Sequence, residues 1–338
     1  MEMNNDKIRT IKRKWVYMAI LVAVAVVITV ASVHIVYQHS TSSPAAQGKL
    51  AFVTNSIENT VSVINISDNK VVDSIPVGVF PFGVVVSPNG SKVYVANSLS
   101  STVSVIDTSS YNVTATLNVS NGPVGLALSP NGKYLYVTES NSAQMSVFDT
   151  SSDGLVTSVA VGKTPYYIAV SPNGQYIYVV NSDGNTTSVI DTSTYKVIYI
   201  IKGFGYPTSA YVTADGRTLY ITDSENNSVS VINTSDYAME KAISVGSFPA
   251  YIAASPDGSR IYVTNYNSNT TSVINTSDNE VIGTIHGFSH PTGVALSPGG
   301  GYLYVVNRFG NSVSVIDTKS YTITDTIHVG SQPLGIST

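Results

Sequence analysis

The chain has no cysteine among its 338 residues. This absence excludes disulfide bonds, thiolate metal sites and a cysteine nucleophile. Charge is also scarce, since Asp, Glu, Lys and Arg make up only 11% of the residues. The first 14 residues carry five Lys or Arg and two Asp or Glu, so the net charge of −4 for the whole chain leaves −7 on residues 15–338. A mildly acidic surface without clustered cations excludes nucleic acid as a partner.

What the chain does have is a repeat of 42 residues, visible as three ladders in one register. The first ladder consists of prolines: Pro81, Pro123, Pro165, Pro207, Pro249, Pro291 and Pro333. The second is polar: Asn55, Asn97, Glu139, Asn181, Asp223, Asn265 and Asn307. The third opens a Ser-Val-hydrophobic triplet: Ser62, Ser104, Ser146, Ser188, Ser230, Ser272 and Ser314. Repeats of ~40–45 residues that hold several short strands predict the blades of a β-propeller.

One repeat contains four predicted strands, which we name a to d. Strand a begins at Pro249 and ends before the turn Pro256-Asp-Gly, in which Gly accepts a left-handed conformation. Strands b, c and d are predicted at 260–265, 270–275 and 280–286. In a propeller, the a–b and c–d turns lie on one face and the b–c and d–a loops on the other. The fold class is therefore all-β, a seven-bladed β-propeller of four-stranded antiparallel blades.

The two ends of the repeat region complement each other. The repeat phase begins at Gly48-Lys49, at the start of a strand b, and stops at Thr338, inside a strand a. We expect Pro333 to Thr338 to supply the innermost strand of the blade whose other strands come from Leu50 to Val77. Closure by N- and C-terminal strands hides edges that would otherwise recruit other chains. The propeller domain is thus predicted at 48–338.

The strand b sequences resemble the YVTN family of β-propeller repeats. Tyr262-Val-Thr-Asn matches the motif without change, and Phe52-Val-Thr-Asn differs at one position. Tyr136-Val-Thr-Glu and Tyr220-Ile-Thr-Asp depart at the last position. The resemblance covers residue 48 to the end and implies an archaeal surface-layer or other exported protein. It implies the fold rather than an activity, because similar propellers serve as enzyme domains, carriers and adhesins.

The N-terminus predicts a membrane anchor. Residues 16–33 contain no charge and are long enough to cross most of a ~30 Å hydrocarbon layer. Basic residues before the run and aromatic residues at both ends favour a cytoplasmic segment at 1–14, a transmembrane signal-anchor helix at 15–37 and a linker at 38–47. A cleavable signal peptide is the alternative. The propeller would then be extracellular, with its a–b face toward the membrane, since strand b follows the linker.

Export also makes Asn-x-Ser/Thr sequons relevant, because they accept N-linked glycans in exported proteins. We predict a glycoprotein modified at nine sequons. They begin at Asn65, Asn89, Asn112, Asn118, Asn185, Asn226, Asn233, Asn269 and Asn275.

Residues next to the repeated prolines vary between units, so they are the candidate ligand-binding site at the channel mouth. Aromatic side chains with few charges suit a sugar face or an apolar peptide segment. The candidates are Phe80, Phe82, Tyr166, Tyr167, Tyr206, Phe248, Tyr251 and His290. The alternative is that these rings pack between blades as core.

No catalytic residue, metal site or cofactor is predicted. The positions beside the seven prolines carry neither carboxylate nor arginine. We therefore expect a non-catalytic, membrane-anchored extracellular propeller, either a surface-layer component or an adhesion or ligand-binding scaffold for a surface protein or glycan. The alternative is an exported propeller enzyme or electron-transfer subunit, of the lactonase or quinoprotein kind.

Overall fold

The computed structural model describes residues 50–338. The predicted cytoplasmic segment, transmembrane helix and linker at 1–47 lie outside the described residues. Within residues 50–338, no helix is long and apolar enough to cross a membrane.

The described chain is built from 28 short strands joined by turns and loops. In chain order they are β1 (Leu50–Asn55), β2 (Thr60–Asn65), β3 (Lys70–Pro76), β4 (Pro81–Val86), β5 (Lys92–Asn97), β6 (Thr102–Asp107), β7 (Asn112–Asn118), β8 (Pro123–Leu128), β9 (Tyr134–Glu139), β10 (Gln144–Asp149), β11 (Gly154–Ala160), β12 (Pro165–Val170), β13 (Tyr176–Asn181), β14 (Thr186–Asp191), β15 (Lys196–Lys202), β16 (Pro207–Val212), β17 (Thr218–Asp223), β18 (Ser228–Asn233), β19 (Met239–Ser244), β20 (Pro249–Ala254), β21 (Arg260–Asn265), β22 (Thr270–Asn275), β23 (Glu280–His286), β24 (Pro291–Leu296), β25 (Tyr302–Asn307), β26 (Ser312–Asp317), β27 (Thr322–His328) and β28 (Pro333–Ser337).

These strands form seven separate four-stranded antiparallel sheets, which confirms the predicted seven-bladed propeller. Six sheets each use four consecutive strands, and the seventh has the order β28-β1-β2-β3. The strands predicted for one repeat at 260–265, 270–275 and 280–286 match β21, β22 and β23. The inner strands of neighbouring blades, each beginning at a ladder proline, contact one another around a central channel.

One hydrogen-bond pattern explains the polar ladder and the serine ladder together. Asn265 Nδ2 donates to Ser272 Oγ at 2.9 Å and to Thr270 Oγ1 at 3.0 Å. The amide therefore ties strand b to strand c of the same blade, and Asn55, Asn97, Asn181 and Asn307 repeat the bond to their ladder serine. The proline ladder is in register with both, because Pro249 is paired with Asn265. The repeated asparagine and serine thus mark one structural hydrogen bond that five blades share.

The core lies between adjacent blades. Strands b and c are buried along most of their length, whereas the outermost strands are largely exposed. In one cluster, Val231 and Ile243 of one blade pack with Ile261 and Val263 of the next. The first residue of the Tyr-Val-Thr-Asn motif is fully buried in every blade, as Phe52, Tyr94, Tyr136, Tyr178, Tyr220, Tyr262 or Tyr304. The aromatic residue of the motif is therefore a core residue.

The blade shared by the two termini forms as predicted. In the β1–β28 pair, Phe52 lies opposite Ser337 and Val53 opposite Ile336. The backbone N–H of Gly335 donates to Thr54 Oγ1 at 2.9 Å. Leu334 is only 2% exposed, so the last strand contributes apolar burial as well as hydrogen bonds to the closure.

Candidate functional site

The structure divides the eight predicted site residues into two sets. Four lie on the inner strands and line the channel, and we call them the channel set: Phe82, Tyr166, Tyr167 and Tyr251. The other four immediately precede ladder prolines in the d–a loops, and we call them the rim set: Phe80, Tyr206, Phe248 and His290. The two sets share one end of the propeller, because both lie where the inner strands begin.

The channel set packs ring against ring. The Phe82 and Tyr166 centroids are 5.4 Å apart, and those of Tyr167 and Tyr251 are 6.1 Å apart, both in edge-to-face geometry. These side chains are half-buried and line a cavity of about 70 Å³. At roughly 10–15 Å³ per water, the cavity holds a few water molecules, whereas drug-sized ligands occupy clefts of ≈ 300–1,000 Å³.

The third residue of each inner strand breaks the sevenfold pattern. Four strands have glycine there, and a Cβ on Gly125 would lie 2.4 Å from the carbonyl oxygen of Tyr166. Three successive strands instead carry Tyr167, Ser209 and Tyr251. On the side of the channel formed by the glycine-containing strands, the backbones lie too close together for a side chain at this position. On the other side, Tyr167 and Tyr251 fill the space.

The phenols of Tyr167 and Tyr251 are neutral at ordinary pH. Burial raises the pKa of Tyr251 well above its usual value, with the nearby Tyr166 and Tyr167 adding to the effect. Burial also raises the pKa of Tyr167, partly offset by a hydrogen bond with Ser209. Neutral phenols donate and accept hydrogen bonds but supply no base, so the channel is suited to polar binding.

The rim set adopts the left-handed conformation, with φ of 58° at Phe80, 60° at Tyr206, 56° at Phe248 and 51° at His290. Bulky side chains are rarely found there, and such residues cost of order 1–3 kcal/mol unless the surroundings fix them. Each N–H of the set donates to an Asn Oδ1 in the preceding b–c loop, at 2.8–3.1 Å. The acceptors are Asn59, Asn185, Asn227 and Asn269. These hydrogen bonds fix the backbone of the rim residues and therefore the directions in which their side chains project.

Three rim residues join two others in a continuous row of aromatic rings, which we call the aromatic crescent: Tyr206, Phe248, Tyr266, His290 and Phe309. Successive centroids are 6.1, 6.2, 5.0 and 4.8 Å apart. The crescent spans three successive blades on the b–c and d–a face. Phe309 is 52% exposed, so the row reaches solvent at this end. Phe80, by contrast, is 9% exposed and lies two blades away from His290.

Sequence reasoning missed Tyr266 and Phe309 because they lie in b–c loops, away from the prolines. A signal was present at Tyr266. It follows the ladder Asn265, at a position where five other repeats have serine. Phe309 gave no comparable signal, because the second residue after the ladder position is of six different types in the seven repeats.

The predicted glycosylation sites differ in accessibility. Asn89, Asn112, Asn118 and Asn226 are exposed. Asn65, Asn233 and Asn275 end strand c, where each Oδ1 accepts the N–H of the residue two positions later. Asn185 and Asn269 are half-buried, and their Oδ1 atoms hold Tyr206 and His290 as described above.

Residues 50–338 contain no group of three or more His, Asp or Glu that could hold a metal ion. The buried carboxylates belong to the ladder instead. Glu139 accepts from Ser120 N and Gln144 Nε2, each at 2.9 Å, and Asp223 accepts from Gly205 N at 2.7 Å. Both therefore connect a d–a loop to strand b.

Comparison with known protein families shows the family of this chain. The YNCE-like beta-propeller family matches residues 12–338. The chain belongs to this family. The YNCE-like assignment agrees with seven blades of four strands. The resemblance to the YVTN family and to archaeal surface-layer proteins stays a prediction. A search of curated proteins finds no match to this chain.

Solved structures share the YNCE-like propeller architecture at low sequence identity. Hydrazine synthase of Kuenenia stuttgartiensis is 22% identical over 80% of this chain and 93% of its own, with a TM-score of 0.74. A functionally unknown protein from Desulfotomaculum acetoxidans DSM 771 is 16% identical over 86% and 98%, with a TM-score of 0.75. The dihydro-heme d1 dehydrogenase NirN is 15% identical over 87% and 76%, with a TM-score of 0.68. Such identities show the fold alone.

Proposed function

We propose that this chain is a non-catalytic, membrane-anchored extracellular propeller, a surface-layer component or adhesion scaffold, whose contact surface is the aromatic crescent. The observation that carries the proposal is the row of five rings on one face. Tyr206, Phe248 and His290 are held in a left-handed backbone conformation by hydrogen bonds from their N–H groups to loop asparagines. The same conformation precedes the ladder proline in every blade, so it belongs to the fold, and the aromatic side chains at these three positions are what distinguish the crescent.

The chemistry of the crescent favours a glycan as the partner. Its rings present apolar surface with polar edges, which is suited to the C–H faces and hydroxyl groups of sugars. Peptides commonly dock by adding a strand to a sheet edge or by laying an amphipathic helix into an apolar groove, whereas the crescent is a row of rings carried by loops. The cavity lined by the channel set is small, about 70 Å³. Binding on the rim, rather than reaction in the channel, is therefore the function that the geometry supports best.

The test compares two exposed rings at opposite ends of one blade. Phe309 is 52% exposed on the crescent, and Tyr302 is 45% exposed at the start of β25, on the a–b face. We expect soluble oligosaccharides to raise the melting temperature of the purified full-length chain. Phe309→Ser should reduce this shift strongly, whereas Tyr302→Ser should leave it unchanged. A ligand at 100 times its Kd stabilises by about 2.7 kcal/mol, which is readily measured.

The same melting assay distinguishes the proposed function from the alternative one. An exported enzyme or electron-transfer subunit would bind a quinone, a lactone or a divalent metal ion at the channel. A melting shift with one of these compounds that persists in Phe309→Ser, together with no response to any oligosaccharide, would replace the proposal by this alternative.

A further inference from the structure

Arg308 breaks the sevenfold pattern of the propeller on the crescent face. The residue after the polar ladder is serine in five blades, at Ser56, Ser98, Ser140, Ser182 and Ser224. In the last two blades of the chain it is Tyr266 and Arg308. Residues repeated in every blade serve the fold, so departures confined to neighbouring blades mark places where another requirement applies.

Three of the five serines at this position bond the next blade, whereas Ser56 and Ser140 donate to the carbonyl oxygens of Gln332 and Gly122. Ser98, Ser182 and Ser224 each donate from Oγ to the carbonyl oxygen of the ladder proline in the next blade, at 2.6–2.8 Å. Arg308 and Tyr266 lack a hydroxyl on Cβ and cannot repeat this bond. The two adjacent seams at these residues therefore lack this side-chain hydrogen bond and have large side chains at the mouth instead.

Two contacts orient the Arg308 side chain, but no carboxylate of residues 50–338 pairs with its charge. Its guanidinium carbon lies 5.4 Å from the Phe309 ring centroid, and Nη2 donates to Gln332 Oε1 at 3.3 Å. Within residues 50–338 it forms no ion pair with a carboxylate. Its Nε is buried and has no hydrogen-bond partner there, and the same is true of His290 Nδ1 beside it. A buried cationic donor left unpaired is costly, so the site is built for an acceptor that comes from outside the described chain.

The position of Arg308 links the crescent to the channel. Its backbone N–H donates to the carbonyl oxygen of His290 at 3.3 Å, which fixes the b–c loop against the d–a loop. The guanidinium is also close enough to Tyr251 to oppose, in part, the rise in phenol pKa that burial causes. An anion paired with Arg308 would therefore lie against Phe309 and His290, at the entrance to the cavity.

We propose that the crescent recognises an acidic saccharide, with the uronate carboxylate paired to the Arg308 guanidinium and the sugar ring against Phe309 and His290. The proposal rests on the proposed function, of which it names the ligand class. The planar guanidinium group can donate two parallel hydrogen bonds to a carboxylate, whereas aromatic rings pack against the C–H face of a sugar. An acidic peptide would satisfy the arginine, but it would leave the row of rings unused.

The experiment measures affinity of the full-length chain for two matched probes. One is an oligogalacturonate, and the other is the same oligosaccharide with its carboxyl groups reduced to alcohols. Arg308→Gln should weaken binding of the oligogalacturonate by about tenfold or more, as expected for a charge-assisted bond, and should not affect the reduced probe. The control Arg217→Gln makes the same charge change at an exposed a–b turn and should leave both affinities unaltered. Arg308→Lys keeps the charge without the fork and should give an intermediate loss.

The outcomes separate the two proposals. Equal affinity of wild type and Arg308→Gln for the oligogalacturonate would overturn the assignment to Arg308, as would preference for an oligoglutamate peptide over it. If the reduced probe still binds and Phe309→Ser abolishes that binding, the crescent remains the contact surface and only the acidic specificity fails. Failure of both probes to bind overturns the acidic-saccharide proposal.

Discussion

Single residues in this propeller are best understood by comparison with their six counterparts. The ladder position that ends strand b is asparagine in five blades, and its amide bonds the strand c serine. Asp223 occupies the same buried position, at 2% exposure, with a carboxylate. Burial raises the pKa of Asp223, with hydrogen bonds from Asn226 and Gly205 opposing the effect. This blade therefore holds a carboxylate where five of its six counterparts hold a neutral amide.

Asp223→Asn should stabilise the fold. Because the folded-state pKa of this carboxyl lies above its unfolded value, ionisation favours the unfolded chain as the pH rises above the ordinary aspartate value of 3.8. Removing the charge should therefore raise the free energy of unfolding at neutral pH by about 0.5–2 kcal/mol, as consensus substitutions commonly do. The gain should shrink as the pH falls toward 3.8. Denaturant melts at several pH values measure both effects.

Asp149→Asn is the control with the opposite sign. Asp149 ends a strand c, and the Ser151 hydroxyl, with nearby N–H groups, lowers its pKa to about 2. Its ionised form supports the folded state above pH 3.8, and this support is lost as the pH falls through about 2. The substitution should slightly lower stability at neutral pH. An identical response of the two variants would argue against the burial effect at Asp223.

At the scale of strands and loops, the sequence predicts regular features well and symmetry-breaking ones poorly. The bounds predicted for β21, β22 and β23 match the structure, because turns rich in Pro, Asp, Asn and Gly separate β-branched runs. The division of candidate rings into channel and rim was not predictable. Tyr166 and Tyr206 each lie one residue from a ladder proline, but the left-handed residue before the proline sends the chain in a different direction. In the rim set, the N–H of this residue also bonds an asparagine far back in the chain, such as Asn185 for Tyr206.

Removal of β28 tests closure of the ring. Deleting Pro333 to Thr338 exposes the inner edge of β1 and removes buried Leu334, whose burial alone is worth about 1.5–3 kcal/mol. We expect a lower melting temperature and concentration-dependent association, measured by calorimetry and light scattering. Deleting only Thr338, which lies beyond β28, removes one bond to Leu296 and should have a much smaller effect. A monomeric variant with the wild-type melt would show that the ring does not need the last strand.

At the scale of the whole molecule, the period of 42 residues was sufficient to predict seven blades and their shared terminal blade. It could not reveal the crescent, since Tyr206, Tyr266 and Phe309 come into one row only when blades are arranged around an axis. The sequence marked Tyr266 and Arg308 as departures from serine, but it gave no distance between them and the rim set. Repetition predicts the scaffold, and the departures from repetition need the structure to be interpreted.

The proposed surface location predicts a definite behaviour in cell fractionation. If residues 15–37 form the anchor, the full-length chain should stay with membranes during extraction at alkaline pH, because a spanning apolar helix is held by burial rather than by charge. A variant lacking residues 15–37 should appear in the soluble fraction. Release of the full-length chain by alkali would contradict the anchor, and immunoblotting of pellet and supernatant decides the matter.

The blade shared by the termini also constrains the order in which the blades can be completed during folding. Thr54 and Gly335, which bond across the closure, are separated by 281 positions in the chain. Of the propeller strands described, β1 to β3 are synthesised first, and their inner partner β28 is synthesised after all the others. Long-range pairings of this kind are slow to form and leave strand edges exposed to aggregation. The first blade to be translated is thus the last to be completed, and a chaperone acting on this protein would need to shield β1 for the whole duration of synthesis.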